Sequence, residues 1–279
     1  MSDARAGRAE APPRVTILST LHDRLRDFEI SGKLRSPYPG MMWRHALAHP
    51  DDAKAFRQGR DSLPYVPFLP ESFGLDLLPG SRLLDVGCLA GHGLYDFCRR
   101  RAAAGQGTPK VVGVDVDLEA TAVGLKMAQT WAPTSAVFCV ASAEALPFPD
   151  EAFDMVIARL VLPYVSVSAA LDELARVLAG DGLALIQPHG PGYYFEELWR
   201  EACRLRFKAA SYFARPLLTL GYFILSGRQA VHPWWKELAL NQPTLFRLCR
   251  ERGLYPAWGR PIRGRPLTLF RKARLQGAS

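Results

Sequence analysis

The stretch LLDVGCLAGHG, residues 83–93, joins a short apolar run to a loop with glycines at positions 87, 91 and 93. A run of large aliphatic residues this short, ending in Asp85 and Gly87, predicts a buried strand. Glycines directly after a strand let the backbone turn sharply and approach a ligand closely. The stretch therefore predicts a strand followed by a ligand-binding loop.

The alternation of apolar runs and helical segments continues to about residue 188. Further buried strands are predicted near positions 110, 135, 153 and 183, and most are separated by segments of helical composition. One of these helices is predicted over 168–182, with Gly180 and Gly182 as its stop signal. Strands that alternate with helices are typical of a parallel sheet with helices on both faces.

The flanks of this region differ from it in composition. Residues 196–213 predict one amphipathic helix, and Asn241 before a glutamine and a proline predicts the cap of a short last helix. The chain is therefore predicted to comprise a disordered tail (1–14), a helical N-terminal lid (15–80), the α/β core (81–190), a helical and aromatic cap (191–240), and a last helix with two edge strands (241–279).

Acidic residues at the end of the second strand indicate the type of ligand. Ligands of parallel α/β sheets bind outside the carboxyl ends of the strands, where Asp115 can accept hydrogen bonds from ribose hydroxyls. The spacing GxxxGxG differs from the GxGxxG of nicotinamide-binding proteins and from the phosphate loop GxxxxGK. Short-chain dehydrogenases share the spacing but need Lys four residues after Tyr, an arrangement that none of the nine tyrosines has. A nucleoside derivative of another kind is predicted.

Four motifs in order resemble the class I S-adenosylmethionine (SAM)-dependent methyltransferases. They are LLDVGCLAGHG, VVGVDVD at 111–117, ASAEALPFPDEAFDMVIARLVL at 141–162 and ELARVLAGDGLALI at 173–186. The resemblance covers about a hundred residues, 82–188. It implies a Rossmann-like sheet of seven strands, mostly parallel with the last strand antiparallel, SAM as cofactor, and methyl transfer.

The resemblance also implies roles for individual residues. Asp115 would hold the ribose hydroxyls, Arg159 would face the methionine end, and Asp85 would order the loop or contact the cofactor's amino group. Two positions depart from the family pattern: Leu89 stands where glycine is frequent, and Ser142 where aspartate is usual. The implied cofactor site comprises Asp85, Gly87, Cys88, Gly91, Asp115, Val116, Ser142, Ala143 and Arg159.

Two residues are predicted to serve the acceptor. His189 follows the fifth strand, where an imidazole could take a proton from a nucleophile, and Tyr164 follows the fourth strand, where it could line the pocket. Asp154 begins the fourth strand, at the opposite edge of the sheet, and is predicted to be structural. No metal site is predicted, although His45 and His49 would share a helix face.

Charge distribution leaves several partners open. Residues 191–279 carry 16 basic and 5 acidic side chains, a net charge of +11, which can attract acidic small molecules, phospholipid or nucleic acid. The run PLLTLGYFIL, 216–225, is too short to span a bilayer but could contact a membrane surface, and charge reversal of Arg215 and Arg228 would weaken that contact. Five scattered cysteines without a CxxC pair predict reduced residues and a cytoplasmic setting.

Three functions follow as hypotheses. The first is methylation, on O, N or C, of a small apolar or aromatic metabolite that can carry an acidic group. The second is RNA methylation through the basic last third, although the segment RLVLPY, 159–164, lacks the Asn/Asp-Pro-Pro-aromatic signature of base methylation. The third is SAM binding without methyl transfer, motivated by Leu89 and Ser142. The oligomeric state is left open.

Overall fold

The fold is that of a computed structural model. It describes residues 80–274 except positions 92–93, 95–96, 99–100, 103, 108, 119, 123, 126–135, 231–236 and 263–264. The predicted tail and N-terminal lid lie outside the described residues. The described residues contain seven strands: β1 Arg82–Val86, β2 Lys110–Asp115, β3 Val137–Val140, β4 Phe153–Arg159, β5 Leu178–Gln187, β6 Leu254–Ile262 and β7 Arg265–Lys272. Helices with stated bounds are α1 Val167–Val177, α2 Pro191–Cys203, α3 Phe207–Ser226 and α4 Gln242–Arg250.

All seven strands form one sheet in the order β3-β2-β1-β4-β5-β7-β6. Strands β1 to β5 pair in parallel, whereas β7 is antiparallel to both β5 and β6. The seven-stranded, mostly parallel sheet with an antiparallel last strand is therefore confirmed. Strands β2 and β3 are added on one side of β1, whereas β4 and β5 are added on the other side. The strand order therefore reverses between β1 and β4, and open α/β sheets bind ligands at such switch points.

Alternate side chains of the strands fill two separate cores, one on each face of the sheet. Leu84, Val156 and Ile186 pack on one face with the buried side of α1. On the other face, Leu83 and Ile157 pack with the helix that follows β1. Because both faces are covered, the parallel strands need to be apolar at every position, as the sequence indicated.

The helix predicted over 168–182 ends earlier than its glycines suggested. It stops at Val177, and Leu178 already belongs to β5, where it pairs with Phe153 and is fully buried. Burial of Leu178 in the sheet outweighs the local stop signal. Gly182 serves packing instead, because a Cβ there would lie 2.8 Å from both the Ala179 oxygen and a Leu178 methyl.

The single helix predicted over 196–213 is wrong as well. The structure has two helices there, α2 and α3, separated at residues 204–206 by Leu205 with a left-handed φ of 56°. No glycine or proline marks this break in the sequence. The apolar run 216–225, whose secondary structure the sequence does not determine, is helical and forms most of the second half of α3.

The last helix is capped as predicted. The side chain of Asn241 accepts a hydrogen bond of 2.9 Å from the Thr244 N–H, which satisfies one of the free donors at the start of α4. After α4 the chain enters β6 and β7, which add to the edge of the sheet beside β5. Among the described residues, no helix is long and apolar enough to cross a bilayer.

Candidate functional site

The glycine loop after β1 is held against the end of β2 by backbone hydrogen bonds. The N–H groups of Gly87 and Cys88 both donate to the Val114 oxygen, at 2.8 and 3.1 Å, and the Gly91 N–H donates to the Cys88 oxygen at 2.9 Å. Gly87 has a φ of +72° and Gly91 of +70°. Both conformations favour glycine, so the tight turn predicted from the sequence is present.

Leu89, which stands where the family often has glycine, adopts a left-handed conformation. Its φ is +52°, a conformation that costs a residue with a Cβ about 1–2 kcal/mol. The strain is held in place because the Leu89 N–H donates a 2.8 Å hydrogen bond to Oδ2 of Asp115. The loop is therefore tied to β2 both at its start and at Leu89.

Asp115 is the centre of this arrangement. Besides the bond from Leu89, its Oδ1 accepts a 2.9 Å hydrogen bond from the Asp117 N–H, and the residue is 7% exposed. Burial raises the pKa of the carboxyl, while these backbone donors lower it in part. Asp117 itself accepts a hydrogen bond of 3.1 Å from the Ala120 N–H and so caps the helix after β2.

Phe138 supports the loop from β3, a contact that the motifs did not reveal. A Cβ on Gly91 would overlap ring atoms of Phe138, and Cβ atoms on Gly113 and Gly124 would lie 2.8 Å from the same ring. Three glycines from three different segments thus leave the space that one aromatic ring fills. Nothing in the sequence pairs these positions, because they meet only when β2 and β3 lie side by side.

Asp85, at the end of β1, is a buried carboxyl beside a cation. It is 4% exposed, and burial raises its pKa to about 6, an effect that the charge of Arg159 partly offsets and that of Asp115 reinforces. Arg159 ends β4, the strand that pairs directly with β1. The structure therefore brings Asp85, Asp115 and Arg159 together at one edge of the sheet.

Replacement of Asp85 by asparagine is expected to change the pH dependence of stability. The folded chain holds this proton more tightly than the unfolded chain, because the pKa rises from 3.8 to about 6. The stabilisation that comes from this protonated carboxyl is therefore complete below the pKa of the unfolded chain. It is lost as the pH rises through about 6, the pKa in the folded chain. Between about pH 4 and about pH 8 the Asp85→Asn variant should gain about 3 kcal/mol over the wild type, from roughly 1.4 kcal/mol per pKa unit.

Urea unfolding of both proteins across this pH range measures the effect. The Asp154→Asn variant is the matched control, since the carboxyl of Asp154 is exposed at the other edge and Arg82 lowers its pKa. That control should show no gain with rising pH. If the free energies of unfolding of Asp85→Asn and wild type differed by the same amount at every pH, the raised pKa of Asp85 would be contradicted.

The remaining predicted cofactor residues lie around the same edge. Val116 follows β2 and is 61% exposed, so its side chain is available to a ligand. Ser142 accepts a 3.1 Å hydrogen bond from the Glu144 N–H and bridges to Ala145, which shapes the turn after β3. Ala143, at the centre of this turn, is buried. The hydroxyl of Ser142 therefore orders the turn where the family usually has a carboxylate.

A cluster of aromatic rings lies beyond β4 and β5, and we call its members the aromatic cluster. The His189 ring stacks on Tyr193 with centroids 4.4 Å apart and meets Tyr194 edge-on at 5.6 Å and Tyr164 at 6.2 Å. Phe213 of α3 contacts Tyr193 at 6.4 Å. The structure thus brings the two predicted acceptor residues, His189 and Tyr164, into one group. The aromatic cluster comprises Tyr164, His189, Tyr193, Tyr194, Tyr212 and Phe213.

One carboxyl group joins the aromatic cluster. The Tyr212 hydroxyl donates a 2.6 Å hydrogen bond to Glu237, and burial raises the pKa of that carboxyl. The Tyr194 hydroxyl lies close enough to lower the same pKa, although within the described part of the chain it makes no hydrogen bond of normal geometry. Sequence reasoning missed Glu237, because it lies far along the chain from His189.

The segment after Glu237 fixes α3 to the sheet edge. The N–H groups of Leu238, Ala239 and Leu240 donate to the oxygens of Pro163, Pro216 and His189, at 3.0, 3.3 and 3.0 Å. All three donor residues are at most 1% exposed. One short buried segment therefore connects the chain after β4, helix α3 and the chain after β5. This arrangement places Tyr212 and Phe213 over the edge that carries His189.

Other residues noted in the sequence lie elsewhere. Asp154 is at the opposite edge, where it accepts bonds of 2.8 Å from both the backbone and the guanidinium of Arg82, so its structural role is supported. His45 and His49 lie outside the described residues. Within the described residues, no three His, Cys, Asp or Glu side chains are grouped as metal ligands would be.

Comparisons with known proteins agree with this geometry. A family model described as a methyltransferase domain matches residues 84–186. The uncharacterized methyltransferase YcgJ of Bacillus subtilis is 35% identical over 109 residues, which make up 39% of this chain and 40% of the relative. The alignment thus spans less than half the length of that curated relative.

Solved structures share the fold at low sequence identity. A crystal structure of a SAM-dependent methyltransferase from Methanosarcina mazei aligns with 75% of this chain and 100% of its own, with a TM-score of 0.52 and 19% identity. The cyclase SpnF aligns with 71% of this chain and 77% of its own, with a TM-score of 0.50 and 17% identity. Residues 84–186 are therefore similar in sequence to a methyltransferase domain, and the solved structures share the fold.

Proposed function

We propose that this protein transfers a methyl group from SAM to a small apolar or aromatic metabolite held against the aromatic cluster. The observation that carries the proposal is the position of two groups at one edge of the sheet. The glycine loop and Asp115 follow β1 and β2, and the aromatic cluster follows β4 and β5. The switch point of the sheet, between β1 and β4, lies between these two groups, and open α/β sheets bind ligands at such a point.

The residues that follow β1 and β2 fit the cofactor. An ionised carboxylate has about four acceptor sites, and the described bonds from Leu89 and Asp117 use two of those on Asp115. The carboxyl can therefore still accept from ribose hydroxyls. Gly87 and Gly91, both with positive φ, allow the tight turn that keeps the loop backbone at this edge of the sheet. Asp85 and Arg159 supply opposite charges for the amino and carboxylate ends of an amino acid.

When bound, SAM supplies an activated methyl group, and the displacement itself needs mainly alignment and exclusion of water. The aromatic cluster contributes flat apolar surface that can align a ring or an alkyl chain. Glu237 adds a carboxyl there, so an acidic group on the acceptor receives no support at this cluster. We propose His189 as the base that takes a proton from a hydroxyl or amine acceptor.

The His189→Phe variant tests that role. Phenylalanine preserves a ring that can stack on Tyr193 but removes both nitrogen atoms. For a hydroxyl acceptor we expect kcat to fall by about 10²–10⁴-fold, with unchanged affinity for SAM. Tyr164→Phe is the control, since it removes a hydroxyl from the same cluster. Wild-type kcat in His189→Phe would show that this ring is no base.

The proposed function is tested by methyl transfer itself. Purified protein would be incubated with SAM labelled in the methyl group and with phenols, aromatic amines and alkyl alcohols, and labelled product would be separated by chromatography. Transfer that depends on Asp115 supports the proposal. SAM binding without transfer to any class would favour the hypothesis of a non-methylating SAM protein, and one neighbour with the same fold is a cyclase by its name.

Ion pairing weakens the case for RNA as acceptor. Arg200 pairs with Glu196 and Glu197 at 2.8 and 2.7 Å, and Arg204 and Arg206 share Glu201. Part of the positive charge of the last third is therefore compensated within and beside α2. RNA binding that falls steeply with salt concentration would restore that hypothesis.

A further inference from the structure

Exposed apolar side chains concentrate in helices α2 and α3. Of fourteen large apolar residues that are exposed in the described part of the chain, nine lie between positions 195 and 225. Surfaces of soluble proteins rarely expose such contiguous patches unless they bind a partner or a membrane.

Four of the six exposed large apolar residues of α3 form one stripe along the helix. Phe207, Leu218, Tyr222 and Leu225 are 69%, 59%, 50% and 89% exposed. At about 100° per residue these four positions fall within about 60° of one another around the helix axis. The opposite side of α3 is buried against the rest of the chain, through residues such as Phe223. The second half of α3 is therefore apolar on both sides, which is unusual for a helix that faces water.

The stripe begins at a turn in which apolar and basic residues alternate. Leu205, 74% exposed, and Phe207 are interleaved with Arg204, Arg206 and Lys208. The acidic partner described nearby is Glu201, whose carboxylate is 3.5 Å from Arg204 and 3.6 Å from Arg206. Residues 201–208 thus keep a net charge of +2. At the other end of α3, Arg228 is exposed as well.

We infer that the stripe of α3 and the turn 204–208 bind the surface of a membrane that contains anionic lipid. Apolar side chains projecting between cations are what an interfacial helix presents to lipid headgroups and the acyl boundary. A second copy is a poorer occupant, because both ends of α3 are basic, so a parallel or an antiparallel pair of these helices would bring cations of the two copies together. With about 30 Å of length at 1.5 Å per residue, α3 would lie in the plane of the interface.

The chain carries its own position for a fluorescent probe. Cys203 is exposed and adjoins the turn, whereas Cys88, Cys98, Cys139 and Cys249 are buried. A polarity-sensitive fluorophore attached to Cys203 of the full-length protein should shift its emission to shorter wavelength with phosphatidylcholine–phosphatidylglycerol vesicles. It should respond much less to pure phosphatidylcholine. Co-sedimentation with the same vesicles gives the partition coefficient.

Two variants and one control locate the contact. Phe207→Asp and Leu225→Asp should each lower partitioning to the mixed vesicles by about tenfold or more, since each loses the burial of a large apolar side chain. Tyr255→Asp is the control: Tyr255 is 51% exposed on β6, and its replacement should leave partitioning unchanged. Far-ultraviolet circular dichroism would check that all three fold.

Each outcome bears on the inference. Partitioning that needs anionic lipid and both apolar positions supports it. Absence of vesicle binding, or equal loss in the Tyr255 control, would overturn it, as would an unchanged Cys203 probe in vesicle-bound protein. Because none of these readouts needs SAM or an acceptor, the result is independent of the proposed methyl transfer.

Discussion

Replacement of Asp115 by alanine is expected to abolish measurable binding of SAM, with a loss of affinity of at least about 100-fold. The carboxylate accepts the N–H groups of Leu89 and Asp117, and Leu89 is held in a left-handed conformation. Hydrogen bonds to a charged group contribute about 1.5–3 kcal/mol each. Without them the loop loses its shape, and the ribose hydroxyls lose their proposed acceptor at the same time.

Calorimetric titration with SAM and with its demethylated product measures this loss. Asp154→Ala is the matched control, because it removes a carboxylate of the same type from the opposite edge of the sheet, where it pairs with Arg82. That variant should bind the cofactor with wild-type affinity and lose at most about 1 kcal/mol of stability, as exposed ion pairs do. Wild-type affinity in Asp115→Ala would contradict the proposed ribose site.

Replacement of Gly91 by alanine is expected to lower the free energy of unfolding by about 2–5 kcal/mol. A Cβ in the left-handed conformation costs about 1–2 kcal/mol, and Gly91 has a φ of +70°. The new methyl group would also overlap the Phe138 ring, and overpacking in a closed core costs about 1–3 kcal/mol. The loop would have to move, so affinity for SAM should fall too.

The Gly105→Ala variant separates the cost of the left-handed conformation from the cost of overlap with the Phe138 ring. The φ of Gly105 is +68°, but no described atom lies within 4 Å of the position that a Cβ would occupy. Gly105→Ala should therefore lose only about 1–2 kcal/mol, measured by urea unfolding beside Gly91→Ala. Adding Phe138→Leu to Gly91→Ala should restore part of its stability if the ring is the cause. Equal losses in the two alanine variants would show that the contact with Phe138 contributes nothing.

The sheet could be predicted because its information is local. Each buried strand is a short apolar run, and the first two end where an acidic or glycine residue begins the next loop. Asp85 and Asp115 could be placed at one edge because parallel strands end together.

Local signals failed where burial competes with them. Gly180 and Gly182 suggested the end of a helix, but burial of Leu178 in the sheet ends α1 earlier. At Leu205 no local signal marks the break between α2 and α3. In both places the favoured conformation depends on contacts between distant parts of the chain, which local patterns do not contain.

The sequence by itself determined the order of strands and helices in the core, the position of the glycine loop, and which residues end the strands. Those features follow from periodicity and from backbone preferences, which act over a few residues. The tertiary structure decided that Phe138 fills the space left by three glycines, that Glu237 joins the aromatic cluster, and that α3 exposes an apolar stripe. Such contacts arise only when segments far apart in sequence pack together, so only the packed chain specifies them.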